Sequence, residues 1–277
     1  MDIYDPLHIC NHSDDSGRYR FDAQPEMVYF AINALLQSLS ELVGYELAHG
    51  GAAAPKGWAE GASKEKPKEW RAKGMEKEAE LKREFMEVTA RKYRQLMGNR
   101  FGLSDPTSED ITTIVQPFLD LLKNLELDFH TSFRLLATSP LTASTLSGLT
   151  SALLASQPSC SPSAQSDLTA WLTRYVSRLS SQPGGIEASS ATRKAWNPRF
   201  VLRQWVLEEV IKQVENREEG CREKLNKVLR MSLAPFEPYG AEGEEDVEGL
   251  SEEEREERRL CGLGEERMLG FQCSCSS

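Results

Sequence analysis

Positive charge is scarce in this sequence relative to negative charge. The 277 residues include 33 Lys and Arg against 43 Asp and Glu, which gives a formal net charge of −10 at pH 7. Proteins that hold phosphate backbones place cations in excess on one face, so this balance predicts no nucleic-acid partner. Cysteine is scarce too: six residues are too few for a disulfide scaffold, and reduced thiols are the default expectation.

Long apolar runs and targeting signals are also missing. No run approaches the roughly 18 to 20 residues that cross a bilayer, so the sequence predicts no spanning helix and no membrane partner. The opening MDIYDPLHIC carries two aspartates and no Lys or Arg, which is the wrong chemistry for a signal or transit peptide. Either the protein has no targeting segment, which would leave it in the cytoplasm, or that segment lies upstream.

Motifs that cradle phosphates are absent as well. The sequence contains no Gly-x-Gly-x-x-Gly and no Gly-x-x-x-x-Gly-Lys-Ser/Thr, and the nearest approach, Gly262-Leu263-Gly264, is followed by Glu265 and Glu266, which would repel phosphate. We therefore predict no catalytic, cofactor-binding or metal-binding residue in this chain, and we expect neither ATP nor Mg²⁺ to bind it alone.

Helical periodicity is what the sequence does contain, and it predicts a mainly α fold without strands. Residues 25–49 are predicted to form a helix, because Pro25 suits a first helical position and an apolar stripe follows it. From residue 50 to 74 the composition turns to Gly, Ala, Lys, Glu and Pro, which predicts a flexible, disordered insert. The stripe of the first helix consists of Met27, Phe30, Ala31, Ala34, Leu35, Ser38 and Leu42.

Residues 75–232 are predicted to form a helical lobe. Thr107 followed by Asp110 resembles a capping signal, and Pro117, inside the apolar run that follows, should either kink a helix or mark a second start. Asn197-Pro198 is the best start signal in the chain, because Asn accepts a backbone N–H while Pro needs none. Apolar stripes that contain Trp171 and Trp205 are predicted to be core, and residues 233–277 are predicted to form an acidic, partly disordered tail.

Three polar features are weighed as sites. Asp14 and Asp15 could form a general-base or metal pair, but adjacent loop carboxylates more often hold a turn, and we favour the turn. The isolated histidines His8, His49 and His130 are expected to be surface or packed residues. Cys10-x-His12 and Cys273-x-Cys275 allow a redox disulfide, a zinc site or unrelated thiols. Zinc is disfavoured because its paired ligands are usually two to four residues apart, and the residues by themselves favour unrelated thiols.

Three segments, in order, resemble the selenoprotein O family. The first runs from Asp5-Pro6-Leu7-His8-Ile9-Cys10-Asn11 to Gln24-Pro25, the second is Asn197-Pro198-Arg199-Phe200-Val201-Leu202-Arg203, and the third is the terminal Ser274-Cys275-Ser276-Ser277. The positions that carry the family motif, and to which the resemblance gives a structural role, are Asp5, Pro6, Asn11, Asp14, Gly17, Arg18, Gln24, Pro25, Asn197, Pro198 and Arg203.

The resemblance implies a protein-kinase-like, pseudokinase fold that transfers AMP from ATP to Ser, Thr or Tyr hydroxyls of protein substrates, with Mg²⁺. The family's nucleotide loop, catalytic residues and metal-binding Asp lie upstream of Asp5, so the resemblance covers the C-terminal half only and implies a chain inactive by itself. Residues 1–24 would be an activation-like loop. Family members in eukaryotes are typically mitochondrial. The alternative is a non-catalytic helical module that binds another protein, and the oligomeric state is not predicted.

The resemblance also implies a disulfide. Family members join the Cys of the Ile-Cys-Asn loop to that of the terminal Ser-Cys-Ser-Ser, which correspond here to Cys10 and Cys275. Cys273 lies two residues away and could exchange with that bond. The expected bond is redox-switchable and would order the tail over the activation-like loop.

Overall fold

The computed structural model describes residues 2–9, 13–157, 161–244 and 246–264. These residues are mainly α-helical, and their only strand-like pairing is an isolated antiparallel bridge between Ile3 and Asp128, so the predicted class is confirmed. A 3₁₀ turn, Phe21–Ala23, precedes the first helix. The helices are α1 Gln24–Ala48, α2 Lys66–Met75, α3 Glu78–Phe101, α4 Ser108–Asp110, α5 Gln116–Asn124, α6 Phe129–Thr138, α7 Leu146–Leu153, α8 Pro162–Ser180, α9 Gly185–Trp196, α10 Gln204–Glu215, α11 Cys221–Leu233 and α12 Glu252–Leu260.

The chain divides into two compact units. We call Pro6–Tyr93 the small unit, and Met1–Asp5 together with Arg94–Ser277 the large unit. The division falls within α3.

The small unit is built on a close crossing of α1 and α2. A Cβ atom on Gly44 would lie 1.7 Å from the Trp70 carbonyl oxygen, and one on Gly74 would lie 2.0 Å from that of Ser40. Tyr45 and Trp58 pack on Trp70, with ring centroids 5.2 and 5.3 Å from it. Part of the expected flexible insert therefore forms a helix, because two glycines let the backbones approach and two tryptophans supply apolar area.

The predicted apolar stripe of α1 faces solvent. Phe30 and Leu35 are 55% and 58% exposed, because α2 covers the opposite face of α1 through Ser40 and Gly44. Contrary to the expectation from apolar runs, residues 21–48 form one helix that is long and apolar enough to cross a membrane, by length and composition only. This is weak evidence for a membrane span, because the core helix of a soluble protein passes the same test.

The large unit has a continuous aromatic core. Trp171, predicted to be core, is fully buried and stacks on Phe118 with ring centroids 4.3 Å apart. Its indole N–H donates to the Ile114 carbonyl at 2.9 Å, and the Tyr175 hydroxyl donates to the Phe101 carbonyl at 2.7 Å. These two buried rings thus have hydrogen-bond partners for their polar atoms, which fixes α8 against its neighbours.

Helix starts were predicted with mixed success. Thr107 and Asp110 form a reciprocal capping box. Pro117 follows a π-helical stretch, Ile111–Val115, inside helical residues that run without a break from Ser108 to Asn124, so it marks a change of helix type and not a separate start. The start at Asn197 is wrong: Asn197 ends α9, and α10 begins at Gln204. The Asn197 side chain is buried and bonds backwards to earlier residues, so it is not free to cap a following helix.

A second core joins α10, α11 and α12. Within it Leu260 is fully buried, and Trp205 is 5% exposed. Ser251 and Glu254 form a capping box at the start of α12, although this helix lies within the stretch expected to be an acidic tail. Arg259, at its end, donates to both carboxylate oxygens of Glu209 at 2.7 and 2.9 Å. One apolar residue and one arginine thus anchor an otherwise acidic helix.

Candidate functional site: an arginine-lined cavity

The main candidate site in the described residues is a cavity of about 270 Å³ in the large unit. It lies between α6, the segment that links α9 to α10, and the end of α12. Four of its lining side chains are guanidinium groups, and three apolar residues, Leu135, Val201 and Leu263, line it as well. We call it the arginine cavity, and its charged and titratable lining consists of His130, Arg134, Arg199, Arg203, Glu242 and Arg258, with the Cys261 thiol beside them.

Arg203, a motif residue, forms the most buried ion pairs of this cavity. Its guanidinium donates to the two oxygens of Asp128 at 2.8 and 3.0 Å and to Asp2 at 2.5 Å. Asp128 also caps α6, since its carboxylate accepts the Thr131 N–H at 2.7 Å. Burial opposes ionisation of Asp128, but its bonds to Arg203 more than offset this and hold its pKa below the ordinary value. Arg203 therefore ties the start of the chain, α6 and the start of α10 together.

Arg134 makes a second buried centre. It donates to both oxygens of Glu242, and to the Asn197 carbonyl at 2.7 Å. The Arg199 Nε atom lies 3.6 Å from the Glu242 Oε1 atom, and it donates to the Tyr239 carbonyl at 3.3 Å. Glu242, which belongs to the expected acidic tail, is thus held inside the unit by two arginines.

Asn197 and Pro198 shape the segment that carries Arg199 and Arg203. The fully buried Asn197 amide donates to the carbonyls of Arg100 at 2.7 Å and Arg193 at 2.9 Å. Asn197 has an extended backbone, as the residue before a proline prefers, so α9 ends there. Asn197 and Pro198 therefore end α9, and the segment that follows carries Arg199 and Arg203 to the cavity beside α6.

Two lining groups lack carboxylate partners in the described structure. Arg258 donates to the carbonyls of Gly240, Ala241 and Glu244, at 2.9, 2.8 and 3.1 Å. His130 has a buried Nδ1 atom without a described hydrogen-bond partner, and burial lowers its pKa to about 4, so its imidazole is neutral at pH 7. Burial also raises the pKa of the Cys261 thiol to about 11, which keeps it protonated.

The sequence did not predict this cavity. Pro198 and Arg203, which line it, were expected only to have a structural role as motif residues, and Arg134, Glu242 and Arg258 were not singled out. One signal was available for Arg134: it is a lone cation in the apolar stretch Phe129–Leu136, and a buried arginine there requires an acid elsewhere.

The amino-terminal motif residues form a turn in the small unit. The Asp14 carboxylate accepts the backbone N–H groups of Arg18 at 3.0 Å and Tyr19 at 2.7 Å, and these bonds, led by that of Tyr19, lower its pKa. Gly17, with φ +67°, supplies the left-handed residue that this turn needs. Asp14 thus holds a loop, and the described contacts of the Arg18 guanidinium are with Met27 and with aromatic rings, Phe30 at 4.5 Å among them.

The turn then leads directly into α1. Pro6 accepts the Asp22 N–H at 3.0 Å, the Gln24 amide donates to the carbonyls of Tyr19 and Arg20, and Pro25 lies in the first turn of the helix. Asp5 lies in the part of the chain assigned to the large unit. Cys10, Asn11, Cys273 and Cys275 lie outside the described residues.

Metal ligands are not grouped in the described structure. Among residues 2–9, 13–157, 161–244 and 246–264, no three His, Cys, Asp or Glu side chains are placed to hold a metal ion. Cys221 and Cys261 are free thiols.

Together, fold and site define a mainly helical protein whose large unit is held by buried arginine–carboxylate pairs. The family model described as "Protein adenylyltransferase SelO" matches residues 1–232. Because the match covers most of the chain, the chain belongs to the SelO family, as the sequence resemblance predicted.

Curated relatives agree with this membership. The mitochondrial protein adenylyltransferase SelO of Schizosaccharomyces pombe is 28% identical over 292 aligned positions, which cover 100% of this chain and 47% of that protein. The protein nucleotidyltransferases YdiU of Photobacterium profundum and Chromohalobacter salexigens are 25% and 29% identical, over 86% and 85% of this chain and 40% and 38% of theirs. The chain thus spans less than half the length of these relatives.

Proposed function

We propose that this chain acts as the carboxy-terminal part of a protein adenylyltransferase with a kinase-like fold. In the complete assembly AMP would pass from ATP to Ser, Thr or Tyr hydroxyls of protein substrates, with Mg²⁺. Family membership supports the nucleotidyltransferase class, and the alignment with 47% of the S. pombe relative supports a partial chain. The nucleotide and metal residues would lie in the part of the relatives that this chain does not span.

The exposed stripe of α1 carries this proposal. Val28, Phe30, Leu35 and Leu39 are 42% to 58% exposed on one helix, although large apolar side chains are usually buried. Val28, Leu35 and Leu39 lie on one side of the helix by their spacing, and exposed apolar surface of this kind marks an interface. The unspanned part of the relatives is the occupant that we propose for it, and residues 1–24 would serve as the activation-like loop beside that interface.

Transfer of labelled AMP tests the proposal. The purified chain, given ATP labelled at the α-phosphate, Mg²⁺ and a mixture of acceptor proteins, should label nothing, whereas the full-length S. pombe relative should label acceptors under the same conditions. Adding the part of that relative which this chain does not span, and which we place at its amino-terminal side, should restore labelling. Transfer by the chain alone would contradict the placement of the active site outside it.

A matched pair of variants checks whether the α1 stripe is the interface. Leu35→Glu should abolish the restored labelling, because a carboxylate would be buried in the interface. Glu41→Gln, on the same helix, should leave it intact. Equal labelling with both variants would show that the interface lies elsewhere.

We further propose the redox disulfide that the resemblance implies, between Cys10 and Cys275 or Cys273. Two thiols would lose two protons and two electrons to a disulfide oxidant such as oxidised glutathione, which becomes two thiols. Differential alkylation with peptide mapping tests this bond. Free thiols at all three positions after oxidation would disprove it.

The non-catalytic interaction module is the second candidate, and the same exposed stripe favours it, since such a surface fits any protein partner. Failure of the amino-terminal part to restore labelling, together with its failure to bind the chain, would favour this alternative. The S. pombe relative is named mitochondrial, and we propose the same compartment for this chain.

A further inference from the structure

We propose that the arginine cavity binds a small oxyanion, namely a phosphate or the phosphoryl group of a small phosphorylated compound. This site lies in the large unit, and it is independent of the AMP transfer proposed above.

The first argument is charge. Arg134, Arg199, Arg203 and Arg258 bring four positive charges to the lining, and Glu242 brings one negative charge. Asp2 and Asp128, which bond to Arg203, add two negative charges beside the lining. Among these groups positive charges exceed negative ones by one, and this excess lies in a cavity of about 270 Å³, where charges interact strongly.

The second argument is unused hydrogen-bonding capacity. The bonds that the described structure gives Arg199, at 3.3 and 3.6 Å, are long, which leaves most of its five donors for a further partner. Arg258 bonds only to carbonyls among the described residues, and the Glu254 carboxylate, on which its charge acts, does not line the cavity. His130 lines the cavity as well, and its buried Nδ1 atom has no described hydrogen-bond partner.

These three groups differ from the other two arginines of the cavity. Arg134 and Arg203 are saturated by short bonds to buried acids and act as fixed walls. Arg199 comes from the segment before α10 and Arg258 from α12. Both guanidinium groups line the arginine cavity and have N–H groups left for a ligand. An oxyanion accepts several N–H groups at once, and a neutral imidazole protonated on Nδ1 donates one more. A carboxylate ligand is less favoured, because it offers fewer oxygens and less charge.

Glu242 sets the limit on this ligand. It opposes a second negative charge in the cavity, so we expect one phosphoryl group and not a diphosphate or triphosphate. The apolar lining residues Leu135, Val201 and Leu263 leave room for a short carbon stem on a phosphate ester.

Calorimetric titration of the full chain with inorganic phosphate, in chloride buffer at pH 7, tests the proposal. Saturable binding of one phosphate per chain is expected. Glycerol 3-phosphate and sulfate serve as further arms, and tighter binding of the ester would identify a phosphorylated compound as the natural ligand, whereas equal binding would identify free phosphate. The imidazole NMR signals of His130, assigned with the His130→Gln variant, should move along the same saturation curve.

Arg199→Met is the principal variant, because its long bonds make it the arginine that folding needs least. It should weaken phosphate binding about tenfold or more, as expected for loss of a charged hydrogen bond. Arg174→Met, in a separate groove of the same unit, is the control and should bind as the wild type does. Should Arg199→Met fail to fold, the His130→Leu variant makes the same test.

Three results would overturn the proposal: no saturable binding by the wild type, equal binding by the Arg199 and Arg174 variants, or His130 signals that do not respond to phosphate.

Discussion

The two units of this chain treat their large apolar and charged side chains in opposite ways. In the large unit Phe101, Phe118 and Trp171 are fully buried, and the cavity residues Arg134 and Arg203 are paired with acids that are largely buried. In the small unit α1 exposes Phe30 and Leu35 to solvent. Among the described residues, the large unit therefore buries its largest apolar side chains, whereas the small unit leaves apolar side chains of α1 exposed.

Removal of a buried charge from the large unit should cause the largest loss in the free energy of unfolding. Arg203→Met leaves Asp128 and Asp2 without their cation in a buried site, and we expect a loss of about 3–5 kcal/mol in the free energy of unfolding. Urea unfolding followed by circular dichroism measures it. Lys66→Met in the small unit removes an exposed partner of Glu69, 2.7 Å away, and should cost less than about 0.5 kcal/mol. Similar losses of stability in both variants would contradict the difference between the two units.

A matched leucine pair tests the apolar side of the comparison. Leu122→Ala removes a fully buried side chain from α5 and should cost about 2–5 kcal/mol, because it leaves a cavity. Leu35→Ala removes a leucine that is 58% exposed on α1 and should change stability by less than about 0.5 kcal/mol. If the chain is bound to the part of its relatives that it does not span, the Leu35 loss should rise towards that of Leu122. A costly Leu35→Ala in the isolated chain would show that the stripe is already covered.

The helix crossing of the small unit can be tested through its glycines. Gly44→Ala places a Cβ atom against the backbone of Trp70 and should cost about 1–3 kcal/mol, or separate α1 from α2. The fluorescence of Trp58 and Trp70 should report that separation. Gly148→Ala in α7 of the large unit meets nothing within 4 Å and should stabilise the chain by about 0.5–1 kcal/mol. Equal signs for the two variants would contradict the close crossing.

Local rules predicted what depends on a few neighbouring residues. The Thr107–Asp110 capping box and the Asp14 turn rest on contacts within five positions, and both were predictable. Asn197 was misread because its side chain has two competing uses, and a buried bond to Arg100, 97 positions away, replaces the cap. The pairing of Arg134 with Glu242 spans 108 positions, so periodicity and composition had no means to place that acid in the cavity.

The same limit explains the α1 stripe, whose spacing predicted an apolar face but not what would cover it. Spacing along one helix carries no information on its packing partner, and here α2 took the other face because Gly44 and Gly74 permit it. The insert was misjudged for a related reason. Trp58 and Trp70 were visible in its polar sequence, but their packing on Tyr45 of α1, which supplies apolar area for a short helix, was not.

Protonation of His130 should also distinguish the large unit from the small one. Burial, which outweighs the attraction of Asp128, lowers the His130 pKa from 6.5 to about 4, and the charges of Arg100 and Arg203 act in the same direction. Between these two values the unfolded chain binds a proton that the folded chain does not, so stability falls as pH decreases through this window.

The expected loss is about 2 kcal/mol between pH 7 and pH 5. Urea midpoints measured across this range should show it in the wild type, and the His130→Leu variant should lose most of the slope. His49→Leu, an exposed histidine of the small unit, is the control and should retain it. Phosphate would raise the His130 pKa if it binds the arginine cavity, so added phosphate should flatten the wild-type slope and leave that of His130→Leu unchanged. A slope that survives in His130→Leu would assign the acid sensitivity to other groups.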